Sequence, residues 1–543
     1  MLFELGKTYM KKLSVYLLVI CAICIGLADS SLVAGPLANN NKPGTYARSI
    51  EQILKYNSKD IDLGTAAMII SEQWNDDVLG RQYIFELDKM AHKILKELKE
   101  RGRSIDYKAI DVINDYLYSE LGFTAIETAD DPEDLFLHSV LDNKRGYCLS
   151  LSVLYLSLAE RIGLELYGVV VPGHFFVRYD DGDVRFNIET TNGGSITNDE
   201  HYIEKFNVPQ DNDVYMKSLD KRQTLGCFFN NLGNSYSEIG NIEMAKKALE
   251  KSIEINPSLA ESRTNLGNIY LSKGETDFAI DLYQSALEVN PNDAKVYNNL
   301  ANAYMQKGWT VRAIKFYKLS QSLDSDFADI YRNLARAYIA NKNYDEALAQ
   351  LNKAEIRSPK DPVLYYFLGE VYVQKDRIAD AIYNYEKALK FKADYAEAYC
   401  GIAFCHNING EVDDEIYFYK KAISVKPEMT AAILNLGNAY FSKKKFEAAI
   451  EQYKKAIMLV SDDDRIYYNL GAAYSNLKLY PEALEQYVKT LEINPQNADA
   501  HNGLGFIYYN QGKYRTAWKH INKAKQLGYN VDLQLYEAIK SRL

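Results

Sequence analysis

Three kinds of hydrophobic spacing succeed one another along this chain. Leu13 to Leu27 is a short apolar run behind Lys7, Lys11 and Lys12. From Ile53 to about residue 143 apolar positions recur at helical spacing, most clearly at Leu87, Met90, Ile94 and Leu98. Asp106 to Leu121 predicts a further helix ended by Gly122. Leu149 to Ile162 predicts a helix stopped by Gly163 and apolar on almost every face, so it belongs in a core. The period then drops to two: Leu166 to Val171, Phe175 to Tyr179 and Val184 to Glu189 predict strands, with Asp180-Asp181-Gly182-Asp183 as a hairpin turn. Helices followed by a small antiparallel sheet predict an α+β domain over residues 48–222. Beyond it, helical spacing resumes and runs to the C-terminus.

That last part repeats itself. Leu232, Leu266, Leu300, Leu334, Leu368, Ile402, Leu436, Leu470 and Leu504 stand 34 residues apart, and each is followed by glycine or alanine. Tyrosine comes three residues later in every unit except one, where His406 stands instead, and Glu415 breaks the matching row of alanines in that same unit. The pattern is identified as the tetratricopeptide repeat (TPR), nine times over residues 226–530, with a capping helix in 531–543. Each unit buries its face only against its neighbours, so the expected architecture is an all-α TPR superhelical solenoid with a concave groove. A solenoid of this kind binds a protein or peptide partner in its groove. Asn234 with Asn265, Asn268 with Asn299, and Asn302 with Asn333 match the asparagine pairs that hold a peptide in such grooves. The lysine expected four residues before the first asparagine is replaced by Asn230, Thr264 and Asn298. The same asparagines also belong to the general repeat pattern, which gives them a structural use. Cys400 and Cys405 have no haem or zinc spacing and read as helix packing.

Composition narrows the function. At 543 residues the chain is too long for one core, and its formal net charge of -10 excludes nucleic acid as the main partner. Six cysteines over this length make no disulfide framework, and no metal or cofactor constellation emerges. The N-terminal apolar run with small residues at its end predicts a signal peptide over residues 1–28, or an uncleaved anchor, followed by a polar linker over 29–47. The expected location is therefore periplasmic or extracellular, with a membrane involved only if the leader is retained.

The chemistry concentrates at Arg145-Gly146-Tyr147-Cys148. A thiol at the mouth of a buried helix sees the positive end of the helix dipole, which favours the nucleophilic thiolate. His174 and Glu189 follow in strand context, enough for a Cys-His-acid constellation. On a strand Asn187 and Glu189 share one face, so either is placed to orient His174, with Glu189 the first choice. The backbone N–H of Cys148 is a candidate oxyanion donor, and the Tyr147 hydroxyl a second.

Gly146-Tyr147-Cys148 opening a helix that ends Ala159-Glu160-Arg161-Ile162-Gly163-Leu164 resembles the transglutaminase-like superfamily, papain-like in arrangement. Ile113 to Phe123 and Val171-Pro172-Gly173-His174-Phe175-Phe176-Val177 resemble its bacterial SirB-type branch. The resemblance implies Cys148 as nucleophile, His174 as general base and Glu189 where the superfamily usually has aspartate. Two functions follow. One is an exported enzyme that transfers an acyl group or hydrolyses an amide through Cys148, with the repeats recruiting a protein or peptide. The other is a non-catalytic interaction scaffold in which the transglutaminase-like domain is silent.

Overall fold

The computed structural model describes residues 43–543 apart from 76, 128–130, 207, 209–214 and 327. The leader expected at 1–28, its Cys21 and Cys24, and most of the 29–47 linker lie outside the described residues. The chain divides into two compact units, one ending at Ala303 and the other beginning at Tyr304, within the first helix of repeat three (Ala294–Gln306).

In the first unit the helices Leu63–Trp74 and Gly80–Glu100 pack on the central helix Cys148–Ile162. The Gly80–Glu100 helix buries Leu87, Met90, Ile94 and Leu98, the stripe expected from the spacing. The helix expected over Asp106 to Leu121 runs Ala109–Asn114 and then widens into a π-helical turn, Asp115–Glu120. Two short strands, β1 (Thr124–Ala125) and β2 (Arg145–Gly146), pair in parallel just before Cys148. The five-stranded sheet consists of β3 (Tyr167–Val171), β4 (His174–Asp180), β5 (Arg185–Glu189), β6 (Ser195–Thr197) and β7 (Ser218–Leu219). Its order is β6-β5-β4-β3-β7, with every pairing antiparallel. Alternation along β4 sends Phe175, Val177 and Tyr179 into the core that holds the Cys148 helix. It sends Phe176 to the opposite face, where Tyr202 of the helix Asp199–Lys205 covers it.

The first repeat pair is Lys221–Glu238 with Ile242–Ile255, and the second is Ala260–Ser272 with Thr276–Val289. Their apolar core is continuous with that of the α+β part. One buried cluster runs from Ile50 through the Cys148 helix to Phe228, Phe229 and Leu232 of repeat one and Ile269 of repeat two. Trp74 stacks on Tyr236 at 5.6 Å, and Lys221 and Arg222 bond backbone carbonyls at Ile61, Leu54 and Tyr56.

In the second unit paired antiparallel helices continue to Tyr514–Gln526, and the helix Leu533–Lys540 closes the end by burying Ile539 against Ala517 and Ile521. Where the small residue of a repeat is glycine, the partner helix packs tightly against it. At Gly437 a Cβ would stand 2.5 Å from Cε1 of Tyr453, the buried tyrosine of the partner helix. In repeat six Glu415, standing for alanine, is buried and accepts from Asn407 at 3.1 Å, and burial pushes its carboxyl up. Among the described residues no helix is long and apolar enough to cross a membrane.

Candidate functional site

The chain delivers His174 through a tight turn. Pro172 and Gly173 link β3 to β4, and Gly173 has φ +74°, a left-handed conformation open to glycine. His174 is therefore the first residue of β4, at the end of the sheet. Cys148 is the first residue of its helix and only 3% exposed. The entry to that helix is fixed by Ser150, whose hydroxyl accepts the Tyr147 N–H at 2.9 Å. At this position the Cys148 N–H has no acceptor within the helix, as for every first-turn amide.

The structure brings Cys148, His174 and Glu189 together. His174 Nε2 lies 2.7 Å from Glu189 Oε2, which leaves Nδ1 for another partner, and the ring lines one cavity together with Cys148. Burial opposes charge on His174, but Cys148 and the Glu189 carboxylate beside it outweigh burial and raise the ring to about 9. Glu189 is 8% exposed and fully engaged. It accepts from His174, from the Tyr202 hydroxyl at 2.9 Å, and from the N–H and hydroxyl of Thr191. Burial pushes it up, and these bonds with the His174 charge pull it down to about 2. Burial followed by the Cys148 charge raises Tyr147 to about 12, so its hydroxyl keeps its proton.

Asn187 is a correction. It shares the strand face expected of it, but the register sets it opposite Arg178, not beside His174. Its Oδ1 accepts from Arg178 Nε at 2.9 Å and its Nδ2 donates to Asp199 Oδ1 at 2.7 Å, so it orients the buried Arg178 and not the imidazole.

Three neighbours escaped the sequence reading. Tyr202 and Thr191 hold the Glu189 carboxylate, and Phe206 stacks on His174 with ring centroids 4.8 Å apart and planes within 5°. Thr191 lies two residues after Glu189, and that proximity was the available signal. Tyr202 and Phe206 share the face of a helix four residues apart, a spacing that by itself reads only as packing.

Cys148 and His174 open on a cavity of about 630 Å³. Asn234, Asn265, Asn268 and Asn299, expected in a repeat groove, line this same cavity. Asn302 lies one turn further along the same helix as Asn299, and Asn333 lies on Ala328–Ala340 of the second unit. A second cavity of similar volume, lined by Glu160, Leu166 and Lys221, does not include Cys148. In the second unit His406, Glu411 and Asp414 bring three donor atoms within 4.8 Å of one another, with both carboxylates exposed.

Comparison with known proteins places names on these parts. Residues 81–226 match the family described as "Transglutaminase-like superfamily". Residues 228–259 match "Tetratricopeptide repeat", 479–512 "TPR repeat", and 256–465 the "Cilia and flagella-associated protein 70 C-terminal domain". A UPF0162 protein of Xylella fastidiosa is 27% identical over 137 residues, 25% of this chain and 47% of that protein. F-box only protein 21 of Mus musculus is 28% identical over 115 residues, 18% of either chain. The chain thus spans about half the length of the first of these relatives, or less. Among solved structures, pilF of Pseudomonas aeruginosa is 19% identical with a TM-score of 0.36, covering 40% of this chain and 97% of its own. YrrB, titled a TPR protein with an unusual peptide-binding site, is 28% identical with a TM-score of 0.27, covering 33% and 93%. The chain joins a transglutaminase-like domain to tetratricopeptide repeats, and such repeats bind proteins or peptides.

Proposed function

We propose that this transglutaminase-like domain is a cysteine-dependent acyl-transfer enzyme with Cys148 as nucleophile, His174 as general base and acid, and Glu189 as the group that orients the imidazole. The observation that carries the reading is the His174–Glu189 hydrogen bond with Cys148 and His174 together on the wall of one cavity. With His174 held as the imidazolium and its charge stabilised by Glu189, Cys148 Sγ attacks an amide carbonyl carbon as the thiolate. The oxyanion that forms lies toward the helix N-terminus, where the Cys148 N–H donates. His174 gives its proton to the leaving amine as the C–N bond breaks, and the acyl group remains as a thioester on Cys148. Water then releases it by hydrolysis, or an amine takes it in transfer, with His174 accepting the proton of the attacking group. The apolar leader supports export to a periplasmic or extracellular space, and sequencing of the mature N-terminus tests it: loss of residues up to about Ala28 is expected.

A scaffold reading draws support from the shared core, since the α+β part covers the face that repeat one would otherwise expose. Alkylation separates the two. Burial raises Cys227 well above the usual thiol range, Cys400 to about 12 with help from Glu397, and Cys405 to about 11. Iodoacetamide below pH 7 should therefore label Cys148 first, and His174→Ala should slow that labelling by about tenfold or more. Equal labelling of all four thiols would leave the scaffold reading standing.

A further inference from the structure

We infer that repeats one to three form the substrate wall of the Cys148 cavity, holding an extended polypeptide segment along Asn265, Asn268 and Asn299 so that one of its carbonyls meets Cys148. This rests on the acyl-transfer reading and adds to it the class of substrate and the surface that selects it. The groove expected along the repeats and the site expected at the thiol are, over these repeats, one cavity. Its volume of about 630 Å³ lies in the range of pockets that bury most of a small ligand, roughly 300–1,000 Å³, which is room for a short stretch of backbone at the thiol.

The asparagines are polarised by their own bonds. Asn230 Oδ1 accepts from Ser262 Oγ and from Asn265 Nδ2, both at 3.1 Å. Asn268 Oδ1 accepts from the Tyr283 hydroxyl at 2.7 Å and from Asn299 Nδ2 at 3.0 Å. Each doubly bonded carbonyl fixes its amide and leaves an Nδ2 group to donate. Asn265 and Asn299 spend an Nδ2 hydrogen on those bonds and keep Oδ1 as an acceptor, that of Asn299 holding only a 3.5 Å contact from Asn298. Donor and acceptor thus alternate along the wall, which suits the alternating C=O and N–H of an extended backbone. Charges of both signs line the cavity (Lys205, Lys295, Glu261 and Asp293), so recognition by backbone is favoured over recognition by net charge.

The wall is also held rigidly against the thiol. The Tyr215 hydroxyl, from the segment following the sheet's covering helix, bonds Glu261 of repeat two, and Lys221 bonds Glu160 of the Cys148 helix. A preformed wall spares the ordering cost of binding.

The test uses the full chain and two reagents with one electrophile: acetylglycine chloromethyl ketone and a pool of acetylated random hexapeptide chloromethyl ketones. The rate of adduct formation at Cys148 is read by peptide mapping. The pool is expected to react about tenfold faster than the short reagent, and Asn265→Ala with Asn299→Ala to remove most of that advantage while the short reagent changes less than about twofold. Asn469→Ala deletes the equivalent bond to Asn438 within the second unit and should keep the advantage. The inference is overturned if the pool has no advantage, if the advantage survives the double substitution, or if Asn469→Ala removes it equally. Should the short reagent prefer no thiol over another, the acyl-transfer reading fails, while the ratio of pool to short reagent still decides this inference.

Discussion

His174 Nε2 and Glu189 Oε2 stand 2.7 Å apart, and the pair ties stability to pH in two opposite ways. His174 is raised from 6.5 to about 9, so its contribution is complete below pH 6.5 and disappears as pH rises through about 9. Glu189 is lowered from 4.5 to about 2, so its contribution is complete above pH 4.5 and disappears as pH falls through about 2. The pair therefore stabilises most between about pH 4.5 and 6.5. Thermal unfolding of His174→Ala should show a flatter decline than the wild type between pH 6.5 and 9, and identical slopes would remove the pairing from the explanation.

Arg178 is fully buried and donates to Asn187, to the Met216 carbonyl at 2.7 Å and to Asp199 at 2.7 Å. Arg178→Ala leaves the buried Asn187 Oδ1 and the Met216 carbonyl without the donor they have here and removes one of the donors to Asp199, at a cost of about 3–5 kcal/mol in the free energy read from urea unfolding. Arg178→Lys should recover little, because one ammonium cannot serve three directions of a planar fork.

Gly437→Ala puts a methyl where the Tyr453 ring lies. Overpacking of this kind costs about 1–3 kcal/mol. Urea unfolding should move to lower concentration, and Gly410→Ala, at a φ of +76° with open space around it, should act through backbone strain alone.

Phe229 of repeat one is 1% exposed within the core that continues to the Cys148 helix. Phe229→Ala should cost about 3–5 kcal/mol. Hydrogen exchange is expected to speed up together in repeat one and in Cys148–Ile162, and loss confined to the repeat would contradict a shared core.

Much of this arrangement was legible in the sequence because it is written locally. The 34-residue spacing marks each helix pair, and alternation marks β3, β4 and β5 with His174 and Glu189 on them. What escaped depends on register and packing. Asn187 and Glu189 share a strand face, and only the register, which sets Arg178 opposite Asn187, takes the second of the two candidates away from His174. Strands β1 and β2 are two residues long and pair across about twenty, too short for any period. The asparagines were visible as a groove, but only the docking of Lys221–Glu238 against Trp74 and Ile61 brings them to the cavity of Cys148.

A burst experiment bears most directly on Cys148 as a nucleophile. p-Nitrophenyl acetate mixed with the full chain near pH 7 should release a stoichiometric burst of p-nitrophenolate and leave an acetyl group mapped to Cys148. The burst should be absent in Cys148→Ser and slowed by about a hundredfold or more in His174→Ala. Release without a burst, or acetyl spread equally over Cys227, Cys400 and Cys405, would contradict the assignment.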